Sequence, residues 1–204
     1  MLIFVPADLP RMPEIDFSML NSQNYGGWEM FKLTESAIED ENKYKPQKFY
    51  KDFKNANPNF LKWIKLLPYK EIINIKIHRQ DKLGGVNLHV DFMYPQREIE
   101  HYHHILSNEP CGYRVIMEGN STNTTYALDP MGNKVYLNMP SNLKTNTYIQ
   151  NFTTCVHGVE EEIYRDVLFF HFMIDSKKHE KLVKKSLKKY REYAVFFDMD
   201  TKYV

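Results

Sequence analysis

The sequence predicts a mainly β fold with flanking helices, organised around a double-stranded β-helix core of the jelly-roll or cupin-like kind. Three observations carry that expectation. Short stretches of strand character succeed one another from residue 72 to residue 174, separated by Pro, Gly and Asn turns. Aromatic residues abound, with 14 Tyr and 13 Phe against only 8 Gly, a balance that favours β-rich packing. Finally, no repeat or linker interrupts the 204 residues, a length that suits one domain able to bury a core without disulfides. Within a single domain 1–204, residues 1–70 are expected to form an extension with supporting helices. Residues 71–175 then form the β-helix core, and 176–204 a closing helix and a possible strand.

In order, residues 1–57 are polar and punctuated by Pro6, Pro10, Pro13 and the Gly26-Gly27 pair, which argues for extended segments and turns. A strand beginning at Trp28 fits this region, and the charged run 35–54 fits a helix or a loop. From Pro58 the spacing of Phe60, Ile64 and Leu67 predicts a helix that Pro68 ends. The period then falls to two. Ile73, Ile75 and Ile77 alternate with Asn74, Lys76 and His78, the pattern of a half-buried strand. A turn over 81–85 leads into Val86-Asn87-Leu88-His89-Val90-Asp91. After a polar loop over 94–109, strands are expected at 113–118, 126–127, 135–139, 145–152, 154–159 and 164–174. The last of these carries large residues on both faces, as a strand covered on each side does. A lysine-rich helix comes next, with Ser176 as its N-cap and Val183, Leu187 and Tyr190 at helical spacing; Val195 and Phe196 add a strand.

Composition excludes several classes. A formal net charge of +1 gives no global attraction to nucleic acid or to a membrane surface. The first residues lack a basic region and lose their apolar run at Pro6, unlike a secretory signal, so the sequons at Asn120, Asn123 and Asn151 are read as compositional. Cys111 and Cys155 make no disulfide framework. A cytoplasmic protein with a small-molecule or peptide substrate, and without membrane or nucleic-acid partners, is expected.

His89 and Asp91 stand two apart at the end of a strand, so both project from one face. An imidazole and a carboxylate so placed are two thirds of the 2-His-1-carboxylate triad that holds non-haem Fe(II) with open positions. The same His-x-Asp spacing also fits a hydrogen-bonded surface pair. Two residues further along the chain add weight to the metal reading. His157 ends a strand beside Gly158, 66 residues beyond Asp91, and Arg165 opens the most apolar strand. A guanidinium entering such a strand needs a partner, either an internal Asp or Glu or the carboxylate of a ligand.

The ordered set His89-x-Asp91, Gly112 with Arg114, Val156-His157-Gly158-Val159 and Arg165 resembles the Fe(II)/2-oxoglutarate-dependent oxygenases. The likeness covers roughly residues 60–175 and points to the branch of aspartyl/asparaginyl β-hydroxylases and small proline hydroxylases. That resemblance implies His89, Asp91 and His157 as iron ligands and Arg165 as the clamp on the C5 carboxylate of 2-oxoglutarate. It implies Arg114 as a second contact to that cosubstrate, with a structural ion pair as the alternative. Ile116 stands where the branch often has His, and the interval from His157 to Arg165 is shorter than usual, which a tight hairpin through 160–163 would absorb. The implied activity is a dioxygenase that consumes O2 and 2-oxoglutarate, hydroxylates an amino acid, free or within a protein, and releases succinate and CO2.

Two other functions share parts of this pattern. A nucleic-acid demethylase of the same superfamily would carry a second arginine six residues after the first, where this chain has His171, and its lysine-rich segment is explained by a solvated amphipathic helix. A non-oxygenase jelly-roll would bind a ligand without oxygen chemistry. His101, His103 and His104 sit in a polar loop, and adjacent histidines cannot share one strand face. His171 and Cys155 are read as core residues near the site.

Overall fold

A computed structural model describes residues 1–24, 27–35, 48–80, 86–89, 112–119, 123–151, 155–160 and 164–198. Among them the chain forms twelve strands: β1 (Leu2–Pro6), β2 (Ser22–Asn24), β3 (Trp28–Lys32), β4 (Tyr69–Gln80), β5 (Val86–His89), β6 (Gly112–Gly119), β7 (Thr125–Leu128), β8 (Lys134–Tyr136), β9 (Thr147–Gln150), β10 (His157–Val159), β11 (Arg165–Ile174) and β12 (Val195–Phe196). Three helices accompany them: α1 (Lys51–Ala56), α2 (Pro58–Trp63) and α3 (Ser176–Tyr190). The strands make two antiparallel sheets. One has eight strands in the order β12-β1-β9-β6-β11-β4-β3-β2, and the other four in the order β5-β10-β7-β8. This is the mainly β, jelly-roll-like architecture that the strand pattern predicts.

The period-two pattern is decisive in β4. Ile75 and Ile77 are fully buried and pair across β11 with Phe170 and Leu168. These join Tyr113, Val115 and Ile149 on the face that the helices cover, where Phe53, Phe60 and Trp63 pack; the Trp63 and Phe170 rings lie 6.0 Å apart. Phe60, Ile64 and Leu67 are all buried, as their spacing predicts, although the α-helix gives way to a 3-10 turn at Ile64–Leu66 before Pro68. A second cluster joins the two sheets through Phe4 and Tyr148 on one side and Ala127, Leu137, Met139 and Cys155 on the other. Burial pushes the Cys155 thiol up to about 12, which suits core packing rather than reactivity.

The N-terminal segment contributes strands to the large sheet: β1 lies between β12 and β9, and β2 and β3 complete the opposite edge. Ile3, Phe4 and Val5 are wholly buried because both edges of β1 are paired and both faces covered. The cap of α3 is one residue earlier than expected. Asp175, rather than Ser176, stands in extended conformation and accepts from the Lys178 amide. A carboxylate there also favours the positive end of the helix dipole.

Candidate functional site

The small sheet brings together two of the three expected metal ligands. β10 pairs antiparallel with β5 so that His157 stands opposite His89, and their rings approach to 4.2 Å between centroids. The Nδ1 of His157 lies 3.2 Å from the Cys155 carbonyl oxygen, and the Nδ1 of His89 lies 2.7 Å from that of Asn87. A carbonyl only accepts, so in each of these contacts Nδ1 is the donor. Histidine metal ligands are oriented in this way, with one ring nitrogen tied to a backbone carbonyl and the other coordinating.

Gly158 permits the pairing. A β-carbon on it would lie 2.6 Å from the Tyr126 hydroxyl oxygen and 3.1 Å from the Val86 carbonyl oxygen, so any larger residue would have to displace the Tyr126 ring and crowd β5. Asp91 lies outside the described residues, as do His101, His103, His104, Cys111 and the 94–109 loop. Among the described residues no group of three or more His, Cys, Asp or Glu converges on one point. Of the expected triad, His89 and His157 are thus brought side by side, and Asp91 falls outside what is described.

Arg165 begins β11 and is 4% exposed. Its Nε donates to Gln80 Oε1 at 2.9 Å and its Nη1 to Thr125 Oγ1 at 2.7 Å, while its cation faces the Trp28 ring at 5.8 Å. No carboxylate pairs with it among the described residues, so the expected alternative of an internal ion pair is not found there. The nearest acid in sequence, Asp166, points to the other face, as strand alternation requires. It is held bidentate by Arg79 at 3.0 and 2.9 Å, which raises the Arg79 pKa further. Burial without an anion pulls the Arg165 pKa down to about 10, and the like charge of Arg114 pulls the same way against an opposing effect of Tyr148.

The contact with Thr125 carries Arg165 from the large sheet to the small one. Thr125 and Ala127 share a face of β7, and Ala127 pairs with His157. The guanidinium thus anchors about two residues, roughly 7 Å, along β7 from the histidine pair. Close approach of β6 to β11 at this point depends on Gly119, whose φ is +94° and where a β-carbon would meet the Tyr164 carbonyl oxygen at 2.3 Å.

Arg114, on β6, is 3% exposed; its Nη1 donates to the Tyr113 carbonyl at 3.0 Å, and its cation sits 4.1 Å from the centre of the Phe169 ring. Phe169 packs on His78 at 4.3 Å, and His78 on Trp28 at 5.7 Å. A continuous layer, Arg114–Phe169–His78–Trp28–Arg165, therefore lines the face of the large sheet opposite the helix-covered core. His171 is buried, as expected of a core residue.

Gln80, Thr125 and Trp28 join the site without a motif to announce them. The alternation of β4, continued from His78 to Gln80, is the one sequence signal available, and it places Gln80 on the polar face. Its pairing with Arg165 comes from the β4–β11 register, which local sequence does not contain.

No protein-family description matches the chain, and no curated protein matches it. Among solved structures, the chain is similar to one described as an oxidoreductase of the 2OG-Fe(II) oxygenase family from Burkholderia pseudomallei. The two share 12% identity with a TM-score of 0.44, over 78% of this chain and 76% of that one. So distant a likeness fixes no activity for this chain.

Proposed function

We propose that the chain is an Fe(II)/2-oxoglutarate-dependent dioxygenase that hydroxylates an amino acid, free or within a protein, with release of succinate and CO2. The observation that carries this reading is Arg165: a buried guanidinium without a carboxylate partner among the described residues, fixed to the strand that pairs with His157. A buried cation held only by neutral acceptors is a preformed receptor for an anion.

His89 and His157, with their Nδ1 hydrogens directed to carbonyls, fit two positions of a facial triad, and Asp91 is the residue assigned to the third. Fe(II) held at that triad would supply the coupling of dioxygen reduction to the decarboxylation of 2-oxoglutarate. The protein's own part is positional. Arg165 would take the C5 carboxylate through Nη2, the nitrogen that donates to neither Gln80 nor Thr125. Gln80 and Thr125 fix the guanidinium plane, Arg114 provides a second positive charge, and the Trp28–His78–Phe169 layer excludes water from both.

The test is succinate release from 2-oxoglutarate in the presence of Fe(II) and O2, over a panel of amino acids and peptides, with wild type beside His157→Ala. Slow release by wild type that the variant lacks supports the reading; full turnover and retained iron in the variant would remove His157 from it.

A further inference from the structure

The near-neutral total charge conceals a strong segregation. α3 carries seven lysines against one glutamate, so this helix of 15 residues holds +6 and the other 189 residues together hold −5. All seven lysines are exposed, whereas His179, Leu182, Ser186 and Tyr190 turn inward. The helix is fastened to the sheet by its inner face. The Tyr113 hydroxyl meets His179 Nδ1 at 2.7 Å, and the Asp8 amide donates to Ser186 Oγ at 2.8 Å. The cations are thus displayed on a rigid support.

Three of the lysines are already engaged: Lys178 with Asp175, Lys184 with Glu180 and Lys189 with Asp8. Lys177, Lys181, Lys185 and Lys188 have no acidic partner among the described residues. At 3.6 residues per turn these four fall within an arc of about 80°, and they track the axis at steps of about 6, 6 and 4.5 Å. A solvated amphipathic helix needs no such ordering. Interspersed Glu at i,i+4 would stabilise it better, and four like charges at this spacing repel one another.

We propose that this face of α3 is a docking surface for the phosphate backbone of a nucleic-acid strand. A row of unpaired cations at a stride comparable with that of an extended sugar-phosphate chain matches a linear polyanion, and the acidic remainder of the molecule turns the α3 face towards it. An anionic membrane is the less favoured partner. Helices that lie in a bilayer interface present an apolar flank beside their cations, whereas the apolar residues of α3 are committed to the core. None of the exposed large apolar side chains among the described residues lies on α3. The surface is on the helix-covered side of the large sheet, opposite the layer that carries Arg114 and Arg165, so it stands independently of the oxygenase reading.

The test is fluorescence anisotropy with a labelled single-stranded 30-mer and its duplex, from 50 to 150 mM KCl, on the full chain. Four neutralised phosphates give a slope of about −3 in log K against log salt for the single strand, a weakening of about 20-fold across that range. The variant Lys177→Gln, Lys181→Gln, Lys185→Gln, Lys188→Gln is expected to flatten the slope towards zero. A control that removes the same charge elsewhere, at the exposed Lys51, Lys54, Lys62 and Lys65, should keep it. A matching melting temperature shows that the variant is folded. Absence of salt-dependent binding by wild type overturns the proposal, as does equal loss in both quadruple variants. Binding to phosphatidylserine vesicles without binding to either nucleic acid overturns it in favour of a membrane.

Discussion

Replacing Arg165 with methionine separates a ligand receptor from a structural cation. Burial pulls the Arg165 pKa down from its ordinary value to about 10, which corresponds to about 3 kcal/mol of unfavourable free energy in the ligand-free fold. For a base with a lowered pKa this penalty is present in full at every pH below about 10. It is relieved only as the pH rises from there towards the ordinary arginine value, so it operates undiminished at pH 7.5. Methionine removes the penalty but leaves Gln80 Oε1 and Thr125 Oγ1 without their donor, at about 1 kcal/mol or more each. The two effects nearly cancel, and Arg165→Met should unfold within about 1 kcal/mol of wild type. Breaking a buried ion pair would instead cost about 3–5 kcal/mol.

Ligand then distinguishes the proteins. At 100 times its Kd, 2-oxoglutarate with a redox-inert divalent metal should stabilise wild type by about 2.7 kcal/mol. That is a rise in Tm of about 5–10 °C for a chain of this size, and the variant should show none. Thermal unfolding with and without ligand reads both quantities. A ligand-free variant that loses more than 3 kcal/mol, or one that keeps the full ligand shift, refutes the reasoning.

Gly158→Ala should drive β5 from β10, since the new methyl meets Tyr126 at 2.6 Å and the Val86 carbonyl oxygen at 3.1 Å. The expected loss is about 1–3 kcal/mol of stability together with weakened Co(II) binding in titrations, and unchanged metal affinity would show that the His89–His157 pairing does not matter to the metal. Asp166→Asn removes the buried carboxylate from half-exposed Arg79. Denaturant unfolding should register a loss of about 1–3 kcal/mol, between the values for exposed and buried pairs, with little change in 2-oxoglutarate affinity because that carboxylate faces away from Arg165.

Much of the scaffold is legible in local pattern. The alternation of Ile73, Ile75 and Ile77, the Pro58–Pro68 helical spacing and the apolar run after Arg165 each describe a segment whose neighbours in sequence determine its face. β1 is not legible in this way. A five-residue apolar run ending in proline says nothing of two flanking strands, one of which, β12, begins at residue 195. The Asp175 cap escapes local reading for a smaller reason, since Asp and Ser both cap well and only the backbone conformation chooses between them.

At the site, sequence alone supplied the residue types and their order: His89, Asp91, His157 and an arginine entering an apolar strand. Strand alternation even implied that Arg165 and Asp166 face opposite ways. Tertiary structure decided which side chains meet. Antiparallel register sets His157 against His89, 68 residues earlier, and Gln80 against Arg165. It gives the one carboxylate of β11 to Arg79, and so leaves Arg165 among neutral partners. It also seats α3 on the sheet through His179, Leu182, Ser186 and Tyr190, so that the lysines its own spacing aligns face outward. The physical reason is common to all of these. A residue's local pattern fixes the direction of its side chain, but its partner comes from another strand, and that choice is made by the fold as a whole.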